Sequence, residues 1–146
     1  MAVTDDVVAL LVKAYPTWAI NVNLFIGSGA VLPTTAVYPI TDLTLGMGPY
    51  MSIAQTGGFA PTRVQNQQGP NTRRPSFQLF VRAKSPTAAR TMIEAAVAAL
   101  DGTYNLAVNG VYYYRIVAKQ DPEDLGQSAG YAEFVCNFDT ERNPSP

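Results

Sequence analysis

The residues best suited to chemistry in this chain fall into four sets: Tyr112, Tyr113 and Tyr114; the carboxylates Asp121, Glu123 and Asp124; the lone cysteine Cys136; and the arginines Arg63, Arg73 and Arg74. Each set points to a different activity. Consecutive tyrosines could line a ligand-binding or catalytic pocket, but such a pocket also needs polar groups converging from elsewhere, and the sequence offers no such set. The clustered carboxylates could hold calcium, yet their spacing matches no EF-hand, and a solvated turn is the simpler reading. Cys136 has no histidine to activate it and falls on an apolar strand face, so it reads as inert packing. The three arginines could meet phosphates or carboxylates. With no aromatic residue beside them they are a weak nucleic-acid signal, and loop solubility is the simpler reading.

The elimination extends to the rest of the chain. There is no histidine, which removes the commonest general base and the commonest metal ligand. Ser28, Ser52 and Ser128 lack a base, and no Gly-x-Ser-x-Gly elbow occurs. Gly27-Ser28-Gly29 follows a strand pattern, but no third glycine and no helix come after it, so it is a turn rather than a dinucleotide loop. The sequence therefore reads as non-enzymatic, with no metal site.

The elements that position these residues follow from periodicity. Residues 4–15 form a helix: Thr4 caps it, Asp5 and Asp6 favour its first turn, Val7, Leu10, Leu11 and Ala14 share one face, and Pro16 stops it. Residues 22–26 are a short strand. Residues 30–49, with Pro33, Pro39 and Pro49, are mostly loop, with a short element around Thr41–Leu45. Residues 50–55 are a strand ending at Gly57-Gly58. From Ala60 to Pro75 the chain is polar and reads as one long loop carrying three of the seven arginines, a length that is usually functional or disordered.

The second half is more regular. In the strand 76–84, Phe77, Leu79, Val81 and Ala83 point one way, and Ser76, Gln78, Phe80, Arg82 and Lys84 the other. Ser85 caps a helix with Pro86 at its first position; Ala89, Ile93, Ala96, Val97 and Leu100 make its buried stripe, and Asp101-Gly102 ends it. Asn109-Gly110 signals a turn before the strand 111–119, in which Tyr112, Tyr114, Ile116 and Ala118 share a face. Residues 121–130 read as a loop, 131–138 as the last strand, and 141–146 as a frayed tail. The expected fold is α+β: a single domain with a mostly antiparallel sheet flanked by two helices, its late part a strand-helix-strand-strand unit.

At 146 residues the chain suits one domain. Its charged fraction is 14%, against about 25% for soluble domains in general. A surface this poor in charge suits a subunit covered by partners. The net charge of −1 points to neither nucleic acid nor membrane. The first residues carry no basic n-region and Lys13 interrupts the apolar run that follows, so neither a signal peptide nor a membrane span is expected. A single cysteine allows no internal disulfide, consistent with folding in a reducing cytoplasm.

The most informative feature is the second face of the late strands. It combines Phe80 and Arg82 with Val111, Tyr113, Arg115 and Val117, and with Tyr131, Glu133 and Val135. Aromatic, Val and Arg residues mixed in this way suit a covered surface rather than a solvated one. The cover is either the chain's own first helix and loops or a neighbouring subunit. The candidate interface residues are Phe80, Arg82, Tyr113, Arg115, Val117, Tyr131 and Glu133.

The order of elements from Pro75 to Phe138 carries a resemblance. The run Pro-Ser-Phe-Gln-Leu-Phe-Val-Arg-Ala-Lys84 leads into the alanine-rich helix ending Ala-Leu-Asp-Gly102. Asn-Gly-Val-Tyr-Tyr-Tyr, Asp-Pro-Glu-Asp-Leu-Gly126 and Tyr-Ala-Glu-Phe-Val-Cys-Asn-Phe138 follow. This arrangement resembles the tail terminator, or minor capsid, proteins of long-tailed bacteriophages, also called tail completion or head-tail joining proteins, over residues 75–142. The resemblance implies a homo-oligomeric ring, usually of six copies, at the neck of the virion. Such a ring caps the tail tube, meets the head-connector protein, and lets genomic DNA pass through its lumen; it uses no cofactor and no membrane. It also implies that the polar loop, with Arg63, Gln67, Arg73 and Arg74, contacts the tube or connector or lines the lumen. A tail-tube or head-connector subunit and a small ligand-binding α+β domain are the competing readings.

Overall fold

The computed structural model describes residues 3–28, 49–62, 72–128 and 131–143. Chain order is α1 (Val3–Ala14), β1 (Leu24–Ile26), β2 (Tyr50–Thr62), β3 (Thr72–Ala83), α2 (Pro86–Leu100), β4 (Thr103–Val108), β5 (Val111–Ala118), β6 (Glu123–Ser128) and β7 (Tyr131–Arg142). The strands form one curled, seven-stranded sheet in the order β1-β2-β3-β7-β5-β4, and β6 pairs with β7 beside β5. Only β1 and β2 run parallel; the other pairings are antiparallel. The α+β class expected from periodicity is what the chain adopts. No helix among the described residues is long and apolar enough to cross a membrane.

Both helices lie on the same side of the sheet. Val3, Val7 and Leu11 of α1 and Ala89, Met92, Ile93, Ala96 and Leu100 of α2 join one core cluster with Met51, Ile53, Phe77, Leu79, Val81, Phe134, Cys136 and Phe138. Phe77 and Phe138, directly opposite in the β3–β7 register, stack with ring centroids 4.9 Å apart. Tyr15, just beyond α1, donates its hydroxyl to the Ala95 carbonyl of α2 at 2.9 Å, which ties the helices together. The first helix therefore does not cover the second sheet face, contrary to one of the two expectations for it.

The helix ends obey local rules. The Ser85 Oγ accepts the Ala88 N–H at 3.0 Å, and Pro86 fills a position whose N–H needs no partner. At the other end Gly102 turns the chain with φ 77, a region open to glycine, and its N–H donates to the Ile116 carbonyl. In α1, by contrast, the helix already includes Val3, so Thr4 sits inside the first turn, 6% exposed, rather than capping it.

Several boundaries depart from the sequence expectation. The stretch 60–75 is not all loop: β2 continues to Thr62 and β3 begins at Thr72, so the two make a long hairpin. Residues 103–108 and 123–128, not expected to be strands, pair with β5 and β7. The last strand runs to Arg142, so Glu141 and Arg142 are not frayed. The short element expected around Thr41–Leu45 lies outside the described residues. Asn109 (φ 51) and Gly110 (φ 80) form the two-residue turn between β4 and β5 that their types favour.

Candidate subunit interface

The sheet face opposite the helices is built from alternate residues of β2, β3, β7 and β5. Its register places Tyr50 beside Arg82, Ser52 beside Phe80, Phe80 beside Val135 and Arg82 beside Glu133. Tyr50 and Val135 are buried, at 6% and 7% exposed, yet neither belongs to the helix-side core cluster. Phe25 of β1 meets Tyr50 edge-on at 6.0 Å. The Ser52 Oγ is buried here without a hydrogen-bond partner among the described residues. The face thus has an apolar centre of its own.

Around that centre the polar groups pair across strands. The Arg82 guanidinium meets the Glu133 carboxylate at 3.0 Å, with side chains 15% and 16% exposed, and lies over the Phe80 ring at 5.7 Å. The Gln78 amide donates to the Asn137 Oδ1 at 3.0 Å, and the Ser76 hydroxyl to the Asp139 Oδ1 at 2.7 Å. Lys119 approaches Asp139 at 3.8 Å, and Arg115 approaches Glu141 at 3.5 Å. Donor and acceptor side chains at opposed positions of neighbouring strands satisfy one another within the subunit.

Of the expected interface residues, Phe80, Arg82, Arg115, Val117 and Glu133 come together on this face. Tyr131 opens β7, with its side chain outside the description. Tyr113 does not join them. The β5–β7 register pairs Tyr113 with Arg142 but Arg115 with Glu141, leaving Tyr114 as an extra residue in β5. The bulge reverses the alternation. Val111 and Tyr113 turn into the helix-side core, and Tyr114 turns out, 38% exposed. Asn105, opposite the bulge in β4, takes φ 54 to follow it. Arg73 and Arg74 belong to β3 rather than to a loop, while Arg63 and Gln67 lie outside the described residues.

Sequence reasoning missed a buried polar cluster around Tyr113. The Asp6 carboxylate accepts hydrogen bonds from the Asn109 amide at 2.9 Å, from the Tyr113 hydroxyl, and from the Arg142 guanidinium at 3.4 Å; Arg142 also donates to the Tyr113 oxygen at 3.2 Å. Asp6 is 1% exposed and Arg142 8%. Burial, then the bond to Asp6, raises the Tyr113 pKa, so the phenol stays protonated. Two signals were available: Asp6 follows Val3 by three residues on the helix stripe, and the alternation of β7 continues through Phe138 and Thr140 to Arg142.

The Asp6 cluster ties the first helix to the end of β7. Burial, with Asp101 and Asp121 adding to it, pushes the Cys136 thiol up to about 11, which disfavours the nucleophilic thiolate at neutral pH. Among the described residues no cluster of three or more His, Cys, Asp or Glu could hold a metal. A cleft of about 540 Å³ lies between α2 and the start of β6, floored by Val97, Pro122 and Phe134 and rimmed by Arg90, Glu94, Asp121 and Asp124. Arg90 covers the Phe134 ring at 5.6 Å. The sequence matches no protein-family model and no curated protein.

Proposed function

We propose that this chain is a non-enzymatic structural protein of a long-tailed bacteriophage. It assembles into a ring, of about six copies by the resemblance of residues 75–142, that caps the tail tube and joins it to the head connector. Its place is the neck of the virion, its partners are copies of itself, the tube protein and the connector, and genomic DNA passes through the ring.

The observation that carries this reading is the helix-free sheet face. It presents an apolar centre at Phe80, Tyr50 and Val135 whose surrounding charges and amides are already paired within the subunit. Tyr50 and Val135 are already buried within the single chain, so the apolar surface left for a partner here lies at the half-buried Phe80; covering it strands no charge, because Arg82 and Glu133 already pair. The near-neutral net charge is compatible with a channel through which DNA must slide rather than adhere.

Native mass by light scattering after size exclusion, over a wide concentration range, tests the reading. A discrete oligomer that stops growing is the expected result. Open-ended growth identifies a tube subunit instead, and a monomer at every concentration overturns self-assembly through this face. Phe80→Glu, folded by circular dichroism, should abolish the oligomer.

A further inference from the structure

Charge is distributed unevenly along this chain. Between Asp42 and Glu94 there is no acidic residue, while Arg63, Arg73, Arg74, Arg82, Lys84 and Arg90 all fall there. From Glu94 onward carboxylates dominate, and Glu94, Asp121 and Asp124 rim the cleft between α2 and β6 against the single cation Arg90.

The fold sets these two features far apart. Arg73 is exposed near the start of β3 and lies opposite Arg142, the last residue of β7. The cleft floor at Phe134 lies eight positions back along the same strand, or about 26 Å at the usual rise of a β-strand. Arg73 cannot reach its own cleft. A basic site at one end of a subunit and an acidic, apolar-floored cleft toward the other make a heterologous pair, the kind of contact that propagates head to tail and closes into a ring where its rotation allows.

We propose that Arg73, on the β2–β3 hairpin of one copy, docks in the cleft of the next copy. Its aliphatic stem lies on Val97 and Pro122, and its guanidinium meets Glu94 and Asp121. Arg90, already over Phe134, closes the apolar floor rather than competing for the incoming cation. This contact rests on the ring reading and specifies which parts of two copies meet; it adds an end-to-end element to the sheet-face contact. The occupant is a second copy because the complementary charge is present on this chain, at the far end of the same strand.

Charge exchange in the full chain tests the proposal. Arg73→Glu and Glu94→Arg should each raise the concentration at which the oligomer half-forms by about ten-fold or more, and higher salt should weaken wild-type assembly in the same direction. The double variant should recover most of that loss. Folded single variants that assemble like wild type overturn the contact, as does a double variant no better than the singles. If the wild type stays monomeric, the ring reading fails and the cleft is tested alone, with a fluorescein-labelled synthetic peptide of residues 62–75 titrated onto the full chain. Binding that Glu94→Arg weakens at least ten-fold supports docking of this hairpin in the cleft. Absence of binding up to millimolar peptide, or binding indifferent to Glu94→Arg, overturns it.

Discussion

Replacing Asp6 with alanine should be among the most damaging single changes in this protein, although Asp6 sits in the first turn of a helix beside another aspartate. Asp5 and Asp6 look alike in sequence: both are acidic residues favoured by the helix dipole. In the fold they differ. Asp5 is half-buried at the helix surface, and its loss should cost about 0.3–1 kcal/mol, the usual value of a charge at a helix end. Asp6 is 1% exposed and accepts from Asn109, Tyr113 and Arg142. Its removal breaks the buried ion pair between Asp6 and Arg142, and breaking such a pair from one side costs about 3–5 kcal/mol.

That loss is a fifth or more of the roughly 5–15 kcal/mol that stabilises an ordinary domain. In urea, with a slope of about 2 kcal/mol per molar, the midpoint should fall by about 1.5–2.5 M, and the melting temperature by roughly 10 °C. Equilibrium unfolding followed by circular dichroism measures both. The reasoning fails if Asp6→Ala shifts the midpoint by no more than Asp5→Ala does. A second comparison separates lost packing from the broken ion pair: Asp6→Ala combined with Arg142→Met removes both partners and should be more stable than Asp6→Ala alone.

Three further outcomes are expected. Ser85→Ala removes the acceptor for the Ala88 N–H and should cost about 1 kcal/mol in urea unfolding, with Ser85→Thr largely preserving stability. Gly58→Ala would drive a new Cβ into the backbone carbonyl oxygen of Arg74 across the β2–β3 hairpin, so it should cost about 1–3 kcal/mol where a glycine in open space such as Gly57 tolerates the same change in packing terms. In alkali, folding holds the proton on Tyr113 above its ordinary pKa of 10.0 and on Cys136 at about 11 against 9.0. The unfolded chain releases those protons first, so stability should fall as pH rises past 9, and more steeply past 10. Cys136→Ala should flatten the first part of that decline and Tyr113→Phe the second; alkaline titrations indistinguishable from wild type would show that neither group supplies the linkage.

The legible parts of this fold were those in which local pattern and tertiary burial agree. The strand around Phe77, Leu79, Val81 and Ala83 alternates cleanly, and its apolar residues are indeed the ones under the helices. Ser85-Pro86 and Asn109-Gly110 carry their own turn chemistry and mark their boundaries correctly. The strands that went unread lack that agreement. In β6, Glu-Asp-Leu-Gly-Gln-Ser has little intrinsic strand preference, a register shift between Asp124 and Gly126, and Gly126 at φ 84; it is a strand because β7 offers an edge to pair with. In β4 the positive φ of Asn105 breaks the alternation. Tyr113 was misassigned for a related reason: period-two counting carries a face assignment along a strand only until a bulge, and nothing in Tyr-Tyr-Tyr-Arg marks which tyrosine is the extra one.

Packing both helices on one side divides the work of the two faces. The helix side draws its order from apolar burial and from the Asp6–Arg142 pair, which fastens the first helix to the end of the last strand. The other side gains little from helix contact, and its polar residues pair with one another: Arg82 with Glu133, Gln78 with Asn137, Ser76 with Asp139. Such self-paired charges leave few groups on this face for another molecule to recognise. If the proposed ring forms, its direction and order would have to come from charges away from this face. Arg73 at one end and Glu94 with Asp121 toward the other lie far apart along β7, so the contact proposed between them would join two copies rather than fold one.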